Sequence, residues 1–209
     1  MLVYLVGYLV LWTAMILMTL VIFRFRIEKY KIQIVLTGLT LAPISTLIQF
    51  QAYSFLGILQ ISCYVILLWL FLKVNIGYAL LMACTGYILS VIPDVLTDWF
   101  YEAVLDIQVV NADVQRVAIL LFNLLVIFIF RKFRLGFSFV PEHKSNALEL
   151  RSDNKGILIL IGITIFVIII GTIFVTSEAG QIYVLAVLVA LCLILSVMFR
   201  LYYVKDMED

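Results

Sequence analysis

Asp94, Asp98, Glu102 and Asp106 recur every four residues in a stretch that also carries Trp99, Phe100 and Tyr101. On an α-helix each step of four advances about 400°, so these carboxylates form one slowly drifting acidic stripe. Val95, Leu96, Trp99, Phe100 and Val104 occupy the other faces. A helix lying at a membrane interface would bury that apolar side and present the stripe to water, with Trp99 and Tyr101 at headgroup level. The chemistry this supports is electrostatic capture of a cationic or amphipathic ligand, such as a peptide, with the aromatic rings as anchors. Two plainer uses share the pattern: solubilising an external loop, and holding a divalent cation between neighbouring carboxylates.

Gln60 and Asn123 are the strongest polar side chains inside apolar stretches. Each could meet a ligand, although a hydrogen bond to another helix is the default, worth on average about 0.6 kcal/mol. Gln49 and Gln51 fall near the break that follows the second stretch and could line the same vestibule as the acidic stripe.

Catalytic constellations are missing from the sequence. The single histidine, His143, sits in PEHKS with no carboxylate or cysteine at ligand spacing. Cys63, Cys84 and Cys192 lie in different apolar stretches, which reads as packing and gives neither a disulfide framework nor a metal site. There is no HExxH, GxSxG or phosphate-cradling glycine loop. The expectation is therefore a non-enzymatic chain with no catalytic residues, metal or cofactor.

Those residues must be positioned by membrane helices. The chain is 66% hydrophobic and 13% charged, too little polar surface to cover a soluble globule. Seven apolar stretches can be drawn, at about 2–23, 32–50, 53–72, 76–92, 117–130, 156–175 and 182–202. Stretches of about 20 residues match the thickness of a bilayer core. The fifth is short, so its helix is expected to begin near Asp113. In the second, Pro43 should kink the helix unless neighbours satisfy the freed carbonyl, and Thr37, Thr40, Ser45 and Thr46 make it the weakest. A β-barrel is excluded, because alternating segments of about ten residues are absent.

Charge orients the stretches. Arg24, Arg26, Lys29 and Lys31 follow the first, and Lys73 follows the third. Arg131, Lys132, Arg134, Lys144, Arg151 and Lys155 follow the fifth, and Arg200 and Lys205 close the last. These are 13 of the 14 basic residues, all in alternate breaks, with Arg116 the exception. Lys and Arg in short loops mark the cytoplasmic side. The expected fold is all-α: one polytopic domain over residues 1–209, a bundle of about seven transmembrane helices with its N-terminus outside and C-terminus inside. Residues 94–116 form an acidic extracellular segment, 131–155 a basic cytoplasmic loop and 200–209 a helical cytoplasmic exit. The lipid bilayer is the implied partner in a bacterial plasma membrane, and nothing in the charge pattern points to nucleic acid.

This architecture, with RFRIEKYK after the first stretch, the acidic PDVLTDWFYEAVLD segment, RKFR after the fifth and the RLYYVKDMED exit, resembles the membrane sensor region of bacterial histidine kinases. The group it is most similar to is the peptide-pheromone receptors of the accessory-gene-regulator and competence type, whose kinase halves belong to the GHKL superfamily. The resemblance implies a quorum-sensing, two-component receptor that detects an extracellular peptide and works as a homodimer. The phosphoacceptor helix and the ATP-binding boxes are absent from these residues, and His143 cannot replace the acceptor. Kinase activity would therefore belong to a domain not present here. A substrate-binding subunit of a small-molecule importer and a membrane scaffold are the alternative readings of the same composition.

Overall fold

Long runs of Leu, Ile, Val and Phe offer their backbone no partner but itself, and such runs close as helices when water is excluded. The computed structural model follows this rule. It describes residues 2–51, 55–105, 112–138, 140, 159, 162–163 and 181–208. The elements are α1 (Leu2–Ile22), a short 3-10 turn (Ile27–Tyr30), α2 (Lys31–Gln51), α3 (Phe55–Leu72), α4 (Ile76–Leu105), α5 (Ala112–Lys132) and α6 (Gln181–Glu208). Among the described residues there is no strand. The sixth apolar stretch, the turn that follows it and His143 lie outside the described residues, apart from Ile159, Gly162 and Ile163.

Among the described residues three helices are long and apolar enough to cross a membrane: Tyr4–Ile22, Ile76–Tyr101 and Asp113–Lys132. Leu59–Leu72 and Leu188–Val204 are shorter apolar helical runs. The start of α5 at Ala112 agrees with the expectation that its helix begins ahead of its apolar run.

Both helix-interior prolines are absorbed. Pro43 lies within α2 and Pro93 within α4. The fourth apolar stretch reaches to about residue 92, and α4 continues past it through Pro93 to Leu105, so the segment expected at the interface is continuous with that helix. Proline removes one backbone hydrogen bond, while its fixed φ suits a helix. The bonds on either side therefore outlast the one lost. The Thr97 hydroxyl also bonds the Pro93 carbonyl at 2.7 Å.

The contacts give the helix directions. Gly86 of α4 lies against Thr19 of α1, and Asp94 lies near Tyr8, so α4 runs opposite to α1. Arg116 near the start of α5 meets Tyr4 and Tyr8, while Phe137 just beyond α5 donates its N–H to the Ile22 carbonyl at 2.8 Å. Hence α5 runs parallel to α1. So does α6, whose Tyr202 ring lies 5.8 Å from that of Phe23. In consequence Arg24, Arg131, Arg134 and Arg200 gather at one end of the bundle. Asp94, Asp113 and Arg116 gather at the other.

The centre is the α1–α4 contact. Leu81, Met82, Ala83, Cys84, Thr85 and Ile88 of α4 are fully buried, as are Met18 and Leu20 of α1. Around this core α2 and α3 pack on one side and α5 on the other, and α6 packs on α4. On α5 the pattern of a soluble helix is reversed. Asn123 is buried, whereas Val117, Leu121, Leu124, Leu125 and Phe128 are between 48% and 61% exposed. An outward face of that kind suits lipid rather than water.

The Ser and Thr residues that weaken α2 as an apolar helix have a local use. Thr37, Ser45 and Thr46 are buried, and each hydroxyl bonds a carbonyl four residues back, at 2.7, 3.0 and 2.8 Å. These internal bonds let a polar side chain occupy a helix interior without an orphaned hydroxyl.

Candidate functional site

The charged end of the bundle where α1, α4 and α5 meet is the strongest candidate. In the first turn of α5, Asp113 accepts a hydrogen bond from Arg116 Nη1 at 2.8 Å. The pair is uneven: the Asp113 side chain is 68% exposed and that of Arg116 only 11%. Arg116 is therefore held mainly by aromatic rings. Its guanidinium carbon lies 4.5 Å from the Tyr4 ring centroid and 4.8 Å from that of Tyr8, both on α1 and four residues apart. Residues spaced by four share a helix face, so both rings can meet the one guanidinium. Arg116 Nε and Nη2 are buried without a hydrogen-bond partner among the described residues.

Asp94 approaches the same site from α4. It is half-buried and lies close enough to Tyr8 and Tyr87 to interact with both electrostatically. The cluster thus places one desolvated cation near two carboxylates and three phenols at the mouth of the bundle. A guanidinium fork with free N–H groups suits a carboxylate or carbonyl, and the carboxylates suit a cation. Among the described residues no group of three or more His, Cys, Asp or Glu side chains could hold a metal ion.

From Asp94 to Glu102 the acidic stripe is helical and belongs to the last turns of α4. Trp99 is half-buried and Phe100 exposed. The backbones of Asp98 and Glu102 belong to α4 and those of Gln49 and Gln51 to α2, while their side chains lie outside the described set, as does all of Asp106. Asp94 is thus the stripe carboxylate seen to join the Arg116 cluster. Sequence reasoning missed Arg116, Tyr4 and Tyr8 as site residues. The available signal was the isolation of Arg116, the one cation outside the alternate breaks.

Gln60 and Asn123 connect helices. Gln60 Nε2 and Trp12 Nε1 donate to Ser45 Oγ at 2.6 and 2.7 Å, and Ser45 donates to the Leu41 carbonyl at 3.0 Å. One hydroxyl accepts twice and donates once, its full capacity, and so joins α1, α2 and α3. Ser45→Ala should orphan two donors and lower stability by about 1–3 kcal/mol, measured as a fall in the thermal midpoint of the detergent-purified protein. A midpoint unchanged within error would show that the three-helix junction carries no load. Asn123 is fully buried on α5; its Oδ1 accepts from Ser90 Oγ of α4 at 3.2 Å, and its Nδ2 has no partner among the described residues.

No family model, curated protein or solved structure matches this chain.

Proposed function

We propose that the chain is the membrane-embedded sensor domain of a receptor: a multi-pass bundle of about seven spans, with the Asp94–Arg116 end outside and the basic end in the cytoplasm. It detects an extracellular, peptide-like signal and passes it through α6 to a cytoplasmic kinase outside these residues. The orientation rests on the charge rule, since the cations left in short loops lie at one end. The observation that carries the functional reading is that α4, the central helix, makes polar contacts with both the charged cluster and α6, from residues nine positions apart. Its Asp94 belongs to the charged cluster near Tyr8, and its Thr85 hydroxyl is 2.9 Å from the Tyr202 hydroxyl of α6. A ligand that shifts the cluster by displacing Asp94 or Arg116 would bear on the helix that holds α6. Packed helices with two discrete arrangements are the physical means of such coupling.

Three measurements test the reading. With the native cysteines replaced, a cysteine at position 106 should react with an impermeant reagent from outside and one at 144 only from inside; the reverse at either site overturns the orientation. The double variant Asp98→Asn plus Glu102→Gln should insert normally. Its binding of a cationic amphipathic peptide, followed by tryptophan fluorescence in low salt, should weaken about fivefold or more, because two of the capturing charges are gone. Undiminished binding rules out the acidic vestibule. In the native reading frame, sequence after Asp209 should encode a helix bearing a histidine and then an ATPase. An immediate stop codon rules out direct coupling to a kinase.

A further inference from the structure

Four arginines line one groove at the basic end of the bundle. The groove, about 630 Å³ in volume, lies between the turn after α1 and the end of α5, and Arg24, Arg26, Arg131 and Arg134 face it, with Glu28 the one acid among the described residues. Among the described residues none of these arginines forms an ion pair. The surplus of positive charge is large for so small a space, and a concentrated surplus of this kind calls for an anion.

The walls are held in place. Arg24 and Arg134 each end a helix in the left-handed conformation, with φ of 52° at both. Arg24 Nη2 donates to the Arg134 carbonyl at 3.1 Å, which uses one of its five N–H donors and leaves the others. The segment after α5 turns back at Gly136, where φ is 130° and an added Cβ would meet the Ile22 carbonyl at 2.8 Å. Only glycine fits there. Helix C-termini ordinarily repel anions through exposed carbonyls. Here those carbonyls are occupied: Leu20 accepts from the Phe25 N–H at 2.9 Å, Phe130 from that of Leu135 at 2.9 Å, and Ile22 from that of Phe137 at 2.8 Å.

We propose that this groove binds the phosphate headgroup of an anionic phospholipid, with the arginines on the phosphate and the acyl chains along α5. The lining is amphipathic, since Phe25, Phe130 and Leu135 complete it. Beside it Phe128, Phe133 and Leu135 are 59%, 63% and 48% exposed, an apolar wall that a free phosphate would leave unused. Arginine suits the role because its planar fork pairs two N–H groups with two phosphate oxygens. The proposal rests on the reading that this end meets the membrane surface.

The test uses the purified full chain, stripped of lipid in detergent and titrated with phosphatidylglycerol, phosphatidylcholine or inorganic phosphate under native mass spectrometry. Phosphatidylglycerol should be retained and phosphatidylcholine should not. Arg26→Gln plus Arg131→Gln should weaken phosphatidylglycerol binding about tenfold. Lys132→Gln plus Arg200→Gln removes the same charge outside the groove and should change it less than about twofold. Equal losses in the two pairs would overturn the site in favour of diffuse surface charge. Inorganic phosphate binding as tightly as phosphatidylglycerol would overturn the lipid assignment, and so would equal retention of phosphatidylcholine. Cosedimentation of every variant with lipid vesicles checks the membrane reading separately, so failure of the groove and failure of that reading are distinguishable.

Discussion

Gly86→Ala should lower the thermal midpoint of the purified protein by about 4–10 °C, the shift expected from roughly 1–3 kcal/mol of overpacking in a chain of this size. A methyl group at Gly86 would overlap Oγ1 of Thr19 and press on Cβ of the same residue. Thr19 cannot easily turn aside. It is fully buried, its hydroxyl donates to the Met15 carbonyl at 2.9 Å, and the same oxygen lies 3.0 Å from the Tyr64 hydroxyl. Moving α1 away from α4 would open the centre of the bundle, so the strain has no inexpensive outlet. Gly162→Ala is the matched control, because an added methyl there meets nothing within 4 Å. Equal midpoints for the two variants would show that the α1–α4 contact is looser than described. Because Asp94 and Thr85 share α4 with Gly86, a separated α4 should also blunt any response carried from the charged cluster to α6.

Arg116→Gln should cost about 2–3 kcal/mol and Arg116→Lys about half of that, in midpoint measurements on the same preparation. The arithmetic follows from the surroundings. A cation over an aromatic face is worth about 0.5–1 kcal/mol when exposed and about 2 kcal/mol or more when desolvated; Arg116, with its side chain 11% exposed, has two such faces that share one guanidinium, which puts the total at about 2–3 kcal/mol. The ion pair with Asp113 adds little, since an exposed partner contributes about 0–1 kcal/mol. Lysine keeps the charge but loses the extended planar group that meets both Tyr4 and Tyr8. Asp113→Asn should therefore be milder than either Arg116 substitution. If it proves the most severe of the three, the Arg116 contacts with Tyr4 and Tyr8 depend on the ion pair within α5 and do not stand alone. In the proposed receptor, Arg116→Gln should also change ligand response by altering the field around Asp94.

How much of this was legible in the sequence depends on the kind of feature. The helical character of the apolar runs, the early start of α5 and the four-residue stripe after Pro93 followed from hydropathy and spacing. The continuity of α4 through Pro93 was not legible, because hydropathy marks where an apolar run ends and not where the helix carrying it ends. Gln60 and Asn123 stood out as polar residues in apolar surroundings, but their partners, Ser45 and Ser90, come from other helices at no recognisable spacing. The glycines formed no GxxxG pair, yet Gly38 and Gly86 sit where an added Cβ would come within 3 Å of Thr13 and Thr19. Such an approach depends on which faces meet, and no single-helix pattern contains that.

The two candidate sites divide in the same way. The opposite charge of the two ends was visible in the sequence, because solvation cost acts on each residue according to its position in the chain. What only the tertiary structure decided is which charges are concentrated and which are dispersed. Arg116, Tyr4 and Tyr8 come together because α5 runs parallel to α1. Arg24 and Arg134 meet because the strap at Gly136 folds back onto the end of α1. Local apolar burial is additive along a chain and can be summed from sequence, whereas desolvated charge clusters depend on distances between helices that only packing sets.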